Sequence, residues 1–179
     1  AIDRNTIRRM AEFELSHKPH LELARELYLF SFFSRGMSFV DIVFLKRSRQ
    51  EIDYYRKKTK QRLRIGLTPQ LSALINKYDN NTEYVFPILN PNSPKPLYKQ
   101  YRLALERVNR NLKQVGRMLG IETKLTTYVA RHSWATQAGR SGAPIAVISA
   151  GLGHTSDATT RIYLQNFDQS ILDKVNEQL

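Results

Sequence analysis

The chain has no cysteine, which removes disulfide frameworks, thiolate metal sites and cysteine nucleophiles together. Histidine is scarce too: His17, His20, His132 and His154 are the whole set, and they do not form a metal-ligand pattern. There is no P-loop, no H-E-x-x-H and no G-x-S-x-G, so the common signatures of nucleotide, zinc-protease and serine-hydrolase chemistry are missing. Gly151, Gly153 and Ser156 imitate a dinucleotide turn, but no strand pattern precedes them. No metal or cofactor is implied. The most apolar run, residues 27–33, is too short to span a bilayer, and the charged opening residues 1–10 lack a signal-peptide core. A reducing compartment, the cytosol, is the expected setting. Acidic residues are few: 16 Asp and Glu face 28 Lys and Arg, a formal charge of +12 with a pI near 10.1. Such an excess points to a polyanionic partner.

The excess is local. Residues 46–64 hold nine basic side chains against Glu51 and Asp53, and residues 99–117 hold six against Glu106, which together account for the entire net charge. Neither stretch carries the aromatic and leucine face of an interfacial helix. Phosphate contact along a nucleic acid is therefore the expectation.

With 179 residues, 41% of them hydrophobic, the chain supports one core and one domain. Apolar residues recur at helical spacing through Ile7, Met10 and Phe13, and again from Leu21 to Phe30, with His17-Lys18-Pro19 separating two helices. Arg35-Gly36 ends the second. Ser38 and Asp41 read as a capping box for a short helix reaching Leu45. The period then changes: Ile52 and Tyr54, then Leu63, Ile65 and Leu67, alternate with polar neighbours around residues 57–61, a β-hairpin with a basic tip. Thr68-Pro69 opens another helix through Tyr78. Residues 84–87 read as a short strand, and a proline and asparagine loop runs to Pro96. A long amphipathic helix over 97–118 stops at Gly120. Four shorter helices are expected over 128–141, 144–151, 156–165 and 168–179, with Trp134, Phe30 and Phe33 as core. The fold class is mainly α with one small antiparallel sheet, an α+β arrangement.

Three motifs follow one another near the C-terminus: Tyr128-Val-Ala-Arg131-His132-Ser133-Trp134-Ala135-Thr136, then Leu152-Gly153-His154-Thr155-Ser156, then Thr160-Arg161-Ile162-Tyr163. His154 follows Arg131 by 23 positions and Tyr163 follows His154 by nine. Upstream lie Arg35-Gly36-Met37-Ser38-Phe39-Val40-Asp41 and Arg56-Lys57-Lys58-Thr59. This ordered set resembles the catalytic domain of the tyrosine recombinases, the phage integrase family, in the manner of integrases from bacterial mobile elements. The resemblance covers nearly all of the chain and implies the catalytic core of a DNA breaking-rejoining enzyme. It departs from the usual pattern at Tyr128, where the family most often has histidine, and at Asp41, where it often has glutamate.

The resemblance implies six site residues: Arg35, Lys58, Tyr128, Arg131, His154 and Tyr163. Attack of a tyrosine hydroxyl on a phosphodiester builds charge on the non-bridging oxygens, which two arginines can hold without a metal. Arg35 and Arg131 are that clamp. Lys58 protonates the leaving 5′ oxygen, with Lys57 and Lys60 as competitors. His154 donates a hydrogen bond to the phosphate or assists proton transfer, and Tyr163 forms the covalent 3′-phosphotyrosyl bond. A phenol with an ordinary pKa near ~10 is no neutral-pH base, so Tyr128 is read as a hydrogen-bonding group, and His132 as structural.

The implied partner is double-stranded DNA carrying recombination sites, read by the 97–118 helix, and the implied assembly is a homotetramer on paired sites. The amphipathic 168–179 helix either packs at home or docks in trans on a neighbouring protomer. Full-length relatives carry an N-terminal domain completing a clamp around DNA, so residues 1–179 are expected to be the catalytic domain alone, with Ala1 near the linker. Two other readings share these residues: a noncatalytic DNA-binding module, and an enzyme like the type IB topoisomerases.

Overall fold

The computed structural model describes residues 1–48 and 50–164, without the side chains of Ile162 and Tyr163. The expected helix over 168–179 lies outside the described residues. Chain order is α1 (Arg4–Glu12), α2 (Pro19–Phe33), α3 (Phe39–Val43), β1 (Glu51–Tyr55), β2 (Arg62–Gly66), α4 (Pro69–Lys77), α5 (Leu97–Met118), α6 (Thr127–Arg140), α7 (Ile145–Leu152) and α8 (Asp157–Leu164). The mainly helical class with one two-stranded antiparallel sheet is what the sequence pattern predicts.

Helix α2 is the central post. It begins with Pro19 at its first position, where a missing N–H costs nothing, and buries Leu21, Ala24, Leu27, Tyr28 and Phe30. Packed on it are α1, α4, α5 and α6. Each large apolar side chain taken out of water contributes about 1.5–3 kcal/mol, so this post anchors the fold. Its buried Glu26 accepts from Arg25 and Lys77 at 3.0 and 2.7 Å and from the Tyr78 hydroxyl, so its charge is compensated inside the core. A second, smaller core gathers Ala135, Ile148, Leu152 and Leu164 between α6, α7 and α8, with Trp134 packed against it.

Thr68 caps α4 as its sequence predicts, accepting from Leu71 N, and two further side-chain caps are present: Asp3 accepts from Thr6 N and Thr126 from Val129 N. At α3 the expectation fails. Ser38 makes no side-chain cap bond; its hydroxyl bonds the Asp41 carboxylate at 2.5 Å, while the other Asp41 oxygen accepts from Lys57 N in the hairpin turn at 2.8 Å. The carboxylate is drawn away from its own helix by a donor 16 residues on, a partner invisible to local pattern. The predicted strand over 84–87 is also reduced, to an isolated bridge between Lys46 and Tyr84. Asn80 takes over there, its amide donating to the carbonyls of Tyr78, Tyr84 and Val85.

The hairpin pairs Glu51 with Gly66 and Tyr55 with Arg62. Ile52 and Ile65 face inward as partners in this register, which fixes the sheet face. On the outer face Arg62 pairs with Asp53 and Arg64 with Glu51, each at 2.5 Å. Two of the arginines counted in the basic 46–64 segment are thus locally neutralised. In contrast, Lys99, Arg102, Arg107, Arg110, Lys113 and Arg117 on α5 are all exposed.

Candidate active site

Four elements converge on Arg131. Helix α6 holds it at mid-length, and its guanidinium lies buried, 4% exposed, in the angle between the Arg35-Gly36 turn and the end of α7. One Nη donates to the Gly36 carbonyl and the other to the Leu152 carbonyl, both at 2.6 Å. The second Nη also lies 3.0 Å from His154 Nε2. Three fixed acceptors orient the guanidinium plane before any ligand arrives, the kind of preorganisation that electrostatic catalysis requires.

The turn above it is shaped for this approach. Gly36 has φ +70°, and a Cβ there would lie 3.0 Å from Arg131 Cγ and 3.1 Å from its Cα. Only glycine gives both the backbone angle and the space. Arg35, just before it, is exposed, and its Nη1 reaches the Arg64 carbonyl on β2 at 3.4 Å. Tyr54 on β1 shows what the arginines share. Burial and the nearby Asp41 charge push its phenol up, while Arg131, Arg56 and Arg35 all pull the other way. Arg35 and Arg131 therefore act on one neighbourhood, as a clamp requires.

His154 follows α7 and is 9% exposed. Its Nδ1 lies 2.8 Å from the hydroxyl of Thr160, which is fully buried on α8. Burial, and then the positive charges of Arg131, Arg56 and Lys58, lower its pKa to about 4, so the imidazole is neutral near pH 7. A guanidinium only donates, so Nε2 accepts from Arg131. Towards Arg131, then, His154 is an acceptor.

Lys58 is exposed at the hairpin turn, and its charge is felt at His154. Of its competitors, Lys57 rests its ammonium over the Phe44 ring, 4.5 Å from the centroid. The hairpin is fastened to the histidine turn by Arg56 Nη1 and Thr59 Oγ1, which both donate to the Gly153 carbonyl, at 2.6 and 3.0 Å. Tyr128 lies one helical turn before Arg131 on α6 and is 60% exposed. Tyr163 is on α8, within one turn of Thr160; its side chain is outside the described residues. His132 is half-buried on α6, in keeping with a structural part.

The structure thus brings Arg35, Lys58, Arg131 and His154 into one region. Sequence reasoning passed over Arg56, Thr59 and Thr160 as site residues. All three lie inside motifs already recognised, one or three positions from a residue that was named, and their signal is that a buried site needs groups to hold its parts as well as groups to react.

The fold is that of a tyrosine recombinase catalytic core. The chain belongs to the phage integrase family, whose model matches residues 35–170. Among curated proteins it is similar to the tyrosine recombinase XerD of Lacticaseibacillus casei, 29% identical over 116 residues, which is 63% of this chain and 39% of that protein. It is also similar to a tyrosine recombinase of Pseudothermotoga lettingae, 31% identical over 80 residues, covering 45% of this chain and 28% of that one. These matched stretches take in well under half the length of either relative. Among solved structures, the XerA recombinase superposes with a TM-score of 0.68 at 21% identity, over 99% of this chain and 64% of that one. A XerH site-specific recombinase bound to its difH substrate in a pre-cleavage complex gives 0.66 at 16% identity, over 98% and 52%. At such identities the likeness speaks for the fold. No helix among the described residues is long and apolar enough to cross a membrane.

Proposed function

We propose that residues 1–179 form the catalytic domain of a site-specific recombinase that cuts and rejoins double-stranded DNA through a covalent 3′-phosphotyrosyl link to Tyr163. The observation that carries this reading is the buried Arg131, held in one plane by Gly36, Leu152 and His154. Its remaining N–H groups are the natural donors for a non-bridging phosphate oxygen.

In this reading Arg35 takes the other non-bridging oxygen from the exposed side of the same turn. Tyr163 Oη attacks phosphorus, the bond from phosphorus to the 5′ oxygen breaks, and Lys58 delivers the proton that oxygen needs. Conserving the ester energy in the phosphotyrosine permits religation without a nucleotide cofactor. Neutral His154 orients Arg131, and Tyr128 adds a hydrogen bond at the open edge. The exposed cations of α5 contact the DNA backbone and grooves. Exchange takes place in a homotetramer on paired sites, with residues 168–179 docking on a neighbouring protomer. Membership of the family supports this reading, as does a XerH relative crystallised with its difH substrate.

The test is to trap a covalent complex on nicked or phosphorothiolate DNA carrying candidate recombination sites, with the wild type compared with Tyr163→Phe. A denaturation-resistant adduct lost in the variant is the expected result. Salt-sensitive binding with no adduct in either protein would leave a noncatalytic DNA-binding module. Relaxation of supercoils on DNA without paired sites would move the reading to a topoisomerase-like enzyme.

A further inference from the structure

Thr160 has no part in the chemistry described so far, yet its hydroxyl is fully buried and makes a 2.8 Å bond to the histidine at the centre of the site. Two arrangements of the imidazole proton are available there. With the proton on Nε2, an N–H would face the Nη of Arg131 at 3.0 Å, donor against donor, because a guanidinium has no acceptor. With the proton on Nδ1, His154 donates to Thr160 Oγ1 and Nε2 accepts from Arg131, so that both contacts are satisfied. The second arrangement is the only one consistent with both distances.

We propose that Thr160 is a positioning residue: it accepts the Nδ1–H that Arg131 imposes on His154, and by holding the ring in that orientation it keeps Nε2 aimed at the Arg131 guanidinium and the guanidinium in the plane needed for phosphate binding. This rests on the recombinase reading for its catalytic consequence, though not for its structural claim. Thr160 lies on α8, one turn before Tyr163. Seating the helix that carries Tyr163 therefore fixes the orientation of the His154 ring, and His154 in turn completes the acceptors around Arg131. The helix bearing the attacking group and the clamp for the phosphate become a single hydrogen-bonded unit. Among the described residues, the charged groups acting on His154 are Arg131, Arg56 and Lys58, all cationic. They oppose a second proton on the ring, so Thr160 meets a neutral imidazole and serves it as the acceptor of its single N–H.

The experiment is a long-range proton–nitrogen NMR correlation on the full chain labelled with 15N-histidine, for wild type, Thr160→Val and Thr160→Ser, with His154→Gln to assign the ring. In the wild type, His154 Nδ1 is expected to show a protonated, pyrrole-like shift and Nε2 a pyridine-like one. Thr160→Val is expected to leave the Nδ1–H without its acceptor, moving its proton resonance and speeding its exchange with water, and Thr160→Ser to restore the wild-type behaviour. On trapped-cleavage substrates, Thr160→Val is expected to lower the rate by about tenfold, the equivalent of one lost hydrogen bond, with DNA affinity retained and Thr160→Ser active. A wild-type spectrum with the proton on Nε2 overturns the proposal whether or not either variant folds, as does a folded Thr160→Val protein whose Nδ1 proton shift and exchange are unchanged. Because the spectra need no DNA, a chain that forms no adduct would sink the recombinase reading while the tautomer assignment stood or fell separately.

Discussion

The Asp41 carboxylate joins two parts of the site that are distant in sequence: from α3, the helix after the Arg35-Gly36 turn, it accepts the Lys57 backbone N–H at 2.8 Å. Asp41 is buried, and Ser38 satisfies its second oxygen. The lysine-bearing hairpin is thus tied to the arginine turn by one side chain, and to the histidine turn by Arg56 and Thr59 through Gly153.

Removing that tie should be costly. Asp41→Ala leaves the Lys57 amide and the Ser38 hydroxyl without their partner, and a loss of about 1–3 kcal/mol is expected from unmet buried groups. Denaturant unfolding measures the stability. Single-turnover cleavage should slow further than the stability loss alone explains, since Lys58 adjoins the freed amide. Asp41→Asn keeps one acceptor and should recover part of both.

Gly36 should resist any side chain. Gly36→Ala places a Cβ against Arg131 at a φ of +70°, and the combined backbone strain and overpacking are expected to cost about 2–4 kcal/mol. Gly142→Ala is the control: φ is +80° there, but no atom lies within 4 Å of the added carbon, so only the backbone term, about 1–2 kcal/mol, should appear. Equal losses in the two variants by thermal or chemical denaturation would contradict the close approach of α6.

His154 makes stability fall on acidification. Its folded pKa, about 4, lies below the ordinary histidine value of 6.5, so between those values the unfolded chain binds more protons than the folded one. The contribution is complete above pH 6.5 and is lost as pH falls towards 4. Allowing for solvent screening, it is on the order of 2 kcal/mol. Unfolding free energies measured at pH 7.5 and 4.5 should differ by less in His154→Gln than in the wild type, by about that amount.

DNA affinity should depend on α5 more than on the outer face of the hairpin. Arg107 and Arg110 are exposed, and among the described residues neither pairs with a carboxylate, whereas Arg62 is engaged by Asp53. Converting Arg107 and Arg110 to Gln should reduce the slope of log K against log salt by up to about 2. Arg62→Gln should change it little. Salt titrations followed by fluorescence anisotropy distinguish the two, and equal slopes would place the DNA elsewhere.

Much of this molecule was legible along the chain because its signals are local. Thr68-Pro69, the alternation around Ile52 and Ile65 and the apolar stripe of α5 each depend on neighbours a few residues away, and the corresponding elements are present. The ordered motifs around Arg35, Lys58, Arg131, His154 and Tyr163 likewise marked the family before any contact was known. The Ser38–Asp41 pair shows where such reasoning ends: its spacing matched a cap, but the carboxylate had a better donor in Lys57 N, 16 positions on. Composition and motif order determined the class of protein and its basic stretches, and they named the candidates for the reacting groups. Tertiary structure alone decided which groups hold them, because the partners of Arg131 come from Gly36, Leu152 and His154, up to 95 residues apart. A hydrogen bond across that distance leaves no period in the sequence; it exists only once the helices have packed and brought donor and acceptor within 3 Å.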